Sequence, residues 1–150
     1  MNKNKIFEKF EGFFIEDLKL NQEATLTKTI TKNDINTFAN VTGDHNPVHM
    51  DEEYAKKTIF KKRIAHGFLS ASLISTVIAN KLPGPGSIYL RQNLKFLAPV
   101  FIGDLLTVKV KVISLQIERK RVTLLTECFK SEKKILTGEA EILVESKKNR

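Results

Sequence analysis

The apolar positions of this chain follow a helical period through much of its first half and a period of two through most of its second. Ile6, Phe7, Phe10, Phe13 and Phe14 crowd residues 1–19 at near-helical spacing, which predicts an arm packed on the domain or on a neighbouring subunit. Glu23 to Ile30 alternates, with Ala24, Leu26 and Ile30 opposite Thr25, Thr27 and Thr29, and reads as a first strand. Thr31 to Asp34 forms a capping-box pattern that opens a short helix with Ile35, Phe38 and Ala39 turned inward. Asp51 caps another short helix, acidic at Glu52 and Glu53 and basic at Lys56 and Lys57, as the helix dipole prefers.

From Phe68 to Lys81 large apolar side chains are spread all round the helical wheel, broken only by small residues and hydroxyls. That pattern predicts a helix in the interior, roughly 21 Å long at 1.5 Å per residue, and Pro83, Gly84, Pro85 and Gly86 stop it. The period then becomes two. Ile88, Leu90, Leu94 and Phe96 alternate with polar neighbours, as do Leu106, Val108, Val110 and Val112, and strands are predicted again over Val122 to Phe129 and Leu136 to Val144. The architecture these elements predict is α+β: about five strands of curved antiparallel sheet wrapped round one buried central helix. Gln92 falls on the sheet's apolar face, so it needs partners, expected at the helix end or in the Thr42 to His49 loop.

Composition narrows this picture in three ways. No linker or repeat divides the 150 residues, so one domain over 1–150 is expected, with a basic tail at 146–150. Cys128 stands alone, which rules out an intramolecular disulfide and predicts a buried free thiol in a reducing compartment. No apolar run reaches the ~18 residues of a membrane span, and no signal-peptide core is present, so a soluble cytoplasmic protein without membrane contact is expected. The formal charge of +8 favours polyanionic partners, although part of it lies at the ends of the chain, read as solvated. Nucleic-acid binding rests on charge alone, because basic and aromatic residues are not interleaved and zinc-finger spacing is absent.

Candidate chemistry concentrates in Thr42 to His49, where Asp44 and His49 lie five positions apart in a segment too turn-rich to read as a helix. Gly43 permits unusual backbone angles, Pro47 fixes its φ and pushes Asn46 toward extended geometry, and Asn46 can hydrogen-bond its own loop. A stiff loop carrying a carboxylate and an imidazole suits general acid and base work on one water or substrate atom. Asp44, His45 and His49 also suggest a metal, but no second ligand cluster accompanies them and none is assigned.

With Ala65-His66-Gly67 entering the long helix and Leu82-Pro83-Gly84-Pro85-Gly86 leaving it, this loop resembles the signature of the MaoC-like (R)-specific enoyl-CoA hydratases. The resemblance runs from about Leu20 to Val144 and implies a hotdog fold. It implies reversible addition of water to a trans-2-enoyl thioester, with Asp44 and His49 as catalytic residues and the Gly67 amide as oxyanion donor. Asp44 then takes the water proton while His49 passes a proton to Cα, the reverse division staying open. CoA thioesters are the expected substrate, no cofactor is implied, and (R)-3-hydroxyacyl chains on acyl-carrier protein are the rival. A non-catalytic acyl-CoA-binding module and a thioesterase are further alternatives. A homodimer, or a higher assembly, is expected through exposed sheet edges. Asn46, His66, Ser72 and Ser75 are candidate substrate contacts, each with a structural alternative; Ile78 and Leu143 are candidates for limiting acyl length, and Arg63, with Lys61 and Lys62, for meeting substrate phosphates.

Overall fold

A computed structural model describes residues 12–149 of the protein. Strand β1 (Glu23–Thr29) is followed by helix α1 (Lys32–Thr42), the single turn α2 (Pro47–Met50), the short α3 (Glu52–Lys56) and the long α4 (Gly67–Asn80). Then come β2 (Ile88–Gln92), the two-residue β3 (Lys95–Phe96), β4 (Leu105–Gln116), β5 (Arg121–Lys130) and β6 (Lys133–Leu143). The sheet order is β1-β4-β5-β6-β2, every pair antiparallel, with β3 also paired to β6.

Alternation sets the register. Leu106, Val108, Val110 and Val112 of β4 face inward beside Val122, Leu124 and Cys128 of β5 and Leu136, Ala140 and Ile142 of β6. Each buried aliphatic side chain contributes roughly 1.5–3 kcal/mol, and a slip of one residue would turn the whole row to solvent. Against this face packs α4, chiefly on β1, β4 and β5, through Leu69, Leu73, Ile74, Val77 and Ile78.

In two places the structure departs from the pattern read along the chain. Helix α4 is buried on one side only: Phe68 is 65% exposed, and Ser72, Ser75 and Thr76 also face outward. The small side chains that read as interior filler make an open face because no element among the described residues covers it. Strand β2 is likewise uncovered, with Ile88 55% and Leu90 44% exposed and a bulge between Tyr89 and Arg91, because it is an edge lying beyond the strands that α4 chiefly covers. Gln92 is satisfied within the sheet rather than by the helix end or the site loop. Its Nε2 donates to Thr126 Oγ1 at 2.9 Å and to the Asn93 carbonyl at 2.7 Å, and its Oε1 accepts from the Tyr89 hydroxyl.

Lys147 and Lys148 of the basic tail are exposed, as expected, while the segments around Ile15 and Ser146 dock on the domain. Ile15 and Leu18 enter the core, and Ile15 N donates to the Glu145 carbonyl at 2.8 Å. Ser146 is buried, its hydroxyl bonded to the Glu16 carboxylate, and Lys147 Nζ meets Asp17 at 2.5 Å. Ile6, Phe7, Phe10 and the basic run from Lys3 to Lys9 lie outside the described residues.

Candidate active site

The loop after α1 is built from short side-chain-to-backbone turns. The capping box at Thr31 and Asp34 starts α1, and Gly43 ends it with φ +79°, a left-handed angle that disfavours a side chain. Thr42 Oγ1 accepts from Asp44 N at 3.2 Å, Asp44 Oδ1 from Asn46 N at 3.3 Å, and Asn46 Oδ1 from Val48 N at 3.2 Å. The expected helix-free segment contains one helical turn. Pro47 supplies the first position with its φ already set, and Asn46, at φ −52° and ψ 125°, caps it. His49 rides on that turn, while His45 is exposed.

His49 is half-buried, and its Nδ1 lies 2.8 Å from the Ile64 carbonyl. A carbonyl only accepts, so Nδ1 carries the proton and Nε2 presents a lone pair. Burial pushes the His49 pKa below 6.5; the Ile64 hydrogen bond and the Asp44 carboxylate oppose this, while His66 and Arg63 add to it. Neutral imidazole is therefore the resting form near pH 7. One nitrogen of each of His49 and His66 and a carboxylate oxygen of Asp44 lie within 4.8 Å of one another. A water making two hydrogen bonds of about 2.8 Å bridges such a gap. The two imidazoles lie 4.0 Å apart between centroids with planes tilted by 32°.

Gly67 opens α4. The His66 carbonyl accepts from Leu69 N at 3.1 Å and Ser70 N at 3.4 Å, so it points down the helix. Across a trans peptide the Gly67 N–H points the other way, out of the helix start, with the positive end of the helix dipole behind it. Gly67 and His49 line one cavity of about 340 Å³, walled by Phe60, Ile64, Phe96 and Leu136 among others. A Cβ on residue 67 would lie 2.8 Å from Phe96 Cε1, so the glycine lets the ring and the amide share this wall. A nucleophile-activating pair, an outward amide and an apolar cavity are the components for addition to a polarised carbonyl conjugate.

Other candidates fall elsewhere. Ser72 and Ser75 line a second cavity of about 620 Å³ on the outer face of α4, which shares Phe96 with the first, and Ser72 Oγ donates to the Leu69 carbonyl at 2.6 Å. Asn46 is accounted for as the cap of α2. Ile78 and Leu143, expected to limit acyl length, line neither cavity: Ile78 is turned into the core, and Leu143 sits on β6 opposite the buried face of Ile142. Arg63, expected beside phosphates, is 3% exposed, because its guanidinium is spent inside. Nε donates to the His49 carbonyl at 2.5 Å, Nη2 to Asn36 Oδ1 at 3.3 Å, and Nη1 lies 3.9 Å from Glu52. The sequence signal missed here was Ser70, which lines the cavity of His49 and Gly67 with its hydroxyl buried and unpaired.

Residues 16–132 match the family model described as a MaoC like domain. The chain is 50% identical over 131 residues to an (R)-specific enoyl-CoA hydratase of Rhodospirillum rubrum, covering 87% of this chain and 91% of that protein. It is 45% identical over 134 residues to a 3-hydroxybutyryl-CoA dehydratase of Methylorubrum extorquens, covering 89% and 85%. Among solved structures, the unliganded R-hydratase PhaJ1 from Pseudomonas aeruginosa superposes with a TM-score of 0.85 at 44% identity, over 91% of this chain and 88% of the other. With a loop, helix and sheet of this geometry and likeness of this extent, the chain belongs to the MaoC-like domain family and has its hotdog fold.

Proposed function

We propose that this chain is an (R)-specific enoyl-CoA hydratase, a hydro-lyase that adds water reversibly and syn to trans-2-enoyl-CoA to give (R)-3-hydroxyacyl-CoA. The observation that carries the reading is the His49 imidazole, its Nε2 lone pair free, within 4.8 Å of the Asp44 carboxylate and in one cavity with the Gly67 amide. The names of the relatives supply the substrate class and the stereochemistry.

Attack at Cβ pushes negative charge onto the thioester oxygen, which the Gly67 N–H receives. Water held between Asp44 and His49 gives one proton to His49 Nε2 as its oxygen bonds to Cβ. Asp44 accepts the other O–H and stabilises the imidazolium. That imidazolium returns its proton to Cα on the same face, giving syn addition with no proton lost or gained overall. This is the reverse of the sharing first read from the loop, favoured because the Ile64 carbonyl holds the His49 proton on Nδ1. A positioned base is worth ~10² to 10⁴ in rate and an oxyanion donor ~10² to 10³, so the two act together.

No cofactor enters this chemistry; the CoA thioester is itself the substrate. The +8 charge suits CoA phosphates and an acidic carrier protein alike, so the carrier is a matter for assay. A homodimer fits the exposed Ile88, Tyr89 and Leu90 of edge strand β2 and the open face of α4. Among the described residues no helix is long and apolar enough to cross a membrane.

The test is hydration of short and medium trans-2-enoyl-CoAs, with chiral analysis of the product, for the wild type, Asp44→Asn and His49→Ala. The expected result is an (R) product and a loss of at least ~100-fold in each folded variant. An (S) product, or variants as active as the wild type, would sink the reading. Turnover confined to carrier-protein thioesters would replace it with the dehydratase.

A further inference from the structure

His66 touches every part of the proposed site without facing the substrate. It is 2% exposed and occupies the N-cap of α4, yet its side chain makes no capping bond. Its Nε2 lies instead 2.9 Å from the carbonyl of Asp44, 22 residues earlier. Its ring stacks on His49 at 4.0 Å and tilts against Phe38 at 4.8 Å. Its own carbonyl begins the helix, which fixes the peptide whose N–H belongs to Gly67.

The tautomer follows from these contacts. Nε2 faces a carbonyl and must carry the proton, which leaves Nδ1 as an acceptor. Among the described residues, Nδ1 of His66 and Oγ of Ser70 are both buried and both lack a partner. They are complementary, an acceptor and a donor, at the N-cap and in the first turn of the same helix. Burying each unpaired costs free energy that one hydrogen bond between them would recover.

We propose that His66 is a positioning residue, its Nε2–H holding the Asp44 peptide and its Nδ1 accepting from Ser70 Oγ, so that the first turn of α4 fixes the catalytic loop. The relay acts on Asp44 through its backbone and on His49 through the stacked ring. Ser70 locks the imidazole in the only tautomer that can donate to Asp44, since the other tautomer would set a bare Nε2 against the Asp44 carbonyl, acceptor against acceptor. A displacement of about 1 Å at such a pair is worth on the order of 10²-fold in rate.

The catalytic role of His66 rests on the proposed hydratase reading, whereas the tautomer does not, so two measurements separate their failures. The first is the ¹⁵N imidazole spectrum of the wild-type protein. A protonated Nε2 and bare Nδ1 on His66 are expected, with the Nδ1 resonance shifting in Ser70→Ala; a protonated Nδ1, or no shift, overturns the relay.

The second compares His66→Gln, whose amide retains a donor near the Nε2 position, with His66→Leu, which has none. The expected kcat is within about tenfold of wild type for His66→Gln and at least ~100-fold down for His66→Leu, KM changing little in either. Both variants should also raise the acid limb of kcat/KM, since His49 loses the neighbouring imidazole whose charge helps hold its pKa down; the other charged groups around it, Asp44 and Arg63, are unchanged. Equal losses in the two variants, a wild-type kcat in His66→Leu, or an unmoved acid limb would reduce His66 to a packing residue. Should His66→Leu fail to fold, His66→Gln and the wild-type spectrum still decide. A wild type that hydrates no enoyl thioester would fail the hydratase reading while leaving the tautomer result standing.

Discussion

Replacing Gly67 by alanine keeps the amide donor, whereas proline exchanges its N–H for a ring Cδ. Gly67 is the first residue of α4, where an N–H has no intrahelical partner and proline is well tolerated. Proline also demands extended geometry of the residue before it, and His66 already has φ −58° and ψ 135°. Gly67→Pro thus deletes the N–H with little backbone strain, and Gly67→Ala retains it. Both add a Cβ, which would lie 2.8 Å from Phe96 Cε1 where ordinary contact begins near 3.4 Å, so the ring must move by about 0.6 Å. Phe96 is 48% exposed on a two-residue strand, so it has room to yield. Crowding costs about 1–3 kcal/mol, partly offset by the ~0.4–1 kcal/mol gained when glycine is replaced at a compatible angle. Both variants should therefore fold, with a thermal midpoint lowered by no more than several degrees. Hydration, followed by loss of the ultraviolet absorbance of the conjugated enoyl thioester, should fall a further ~10² to 10³-fold in Gly67→Pro beyond Gly67→Ala, equivalent to ~2.7–4 kcal/mol of transition-state stabilisation. Equal rates in the two variants would refute the assignment of the amide as oxyanion donor.

Other outcomes follow from the same geometry. Arg63→Met strands the His49 carbonyl and Asn36 Oδ1, so urea denaturation should show a loss of about 2–4 kcal/mol, while the salt dependence of KM for a CoA substrate stays unchanged in the folded variant. Burial lowers the His49 pKa from 6.5, and the proposed mechanism uses the neutral imidazole, so kcat/KM should be flat through pH 7 and fall only on acidification below that value; an acid limb centred above 6.5 would contradict the burial argument. The sign for stability is the same: the contribution of His49 is fully present above its unfolded pKa near 6.5 and is lost as pH falls through the lower folded value, which urea midpoints across pH 5–7 measure. Cys128 is fully buried, and burial pushes its thiol up to about 12, so disulfide reagents should leave it untouched in the native protein and modify it on unfolding.

Local chemistry made much of this protein legible in its sequence. The capping box at Thr31 and Asp34, the Asp51 cap, the alternation along β4, β5 and β6 and the proline and glycine stop after α4 each depend on residues within a few positions, and each appears where the chain spells it. The candidate pair Asp44 and His49 was legible for the same reason, being five residues apart on one loop. The burial of α4 was not, because a wheel of apolar and small residues has no preferred outside; only the placement of β1, β4 and β5 under one side of the helix decides which face stays open. Nor was the function of charge. Arg63 reads as one of three basic residues in a row, and only the fold turns it inward onto the carbonyl of His49, 14 positions earlier, leaving Lys61 and Lys62 exposed. Which nitrogen of His49 is free depends on the Ile64 carbonyl, and the grip of His66 on Asp44 spans 22 residues. The sequence by itself thus determined most of the elements, the candidate residue types and their loop, since these are set by short-range sterics and hydrogen bonding. Tertiary structure decided orientation, tautomer and exposure, because those belong to pairs of groups that only the packed chain brings together.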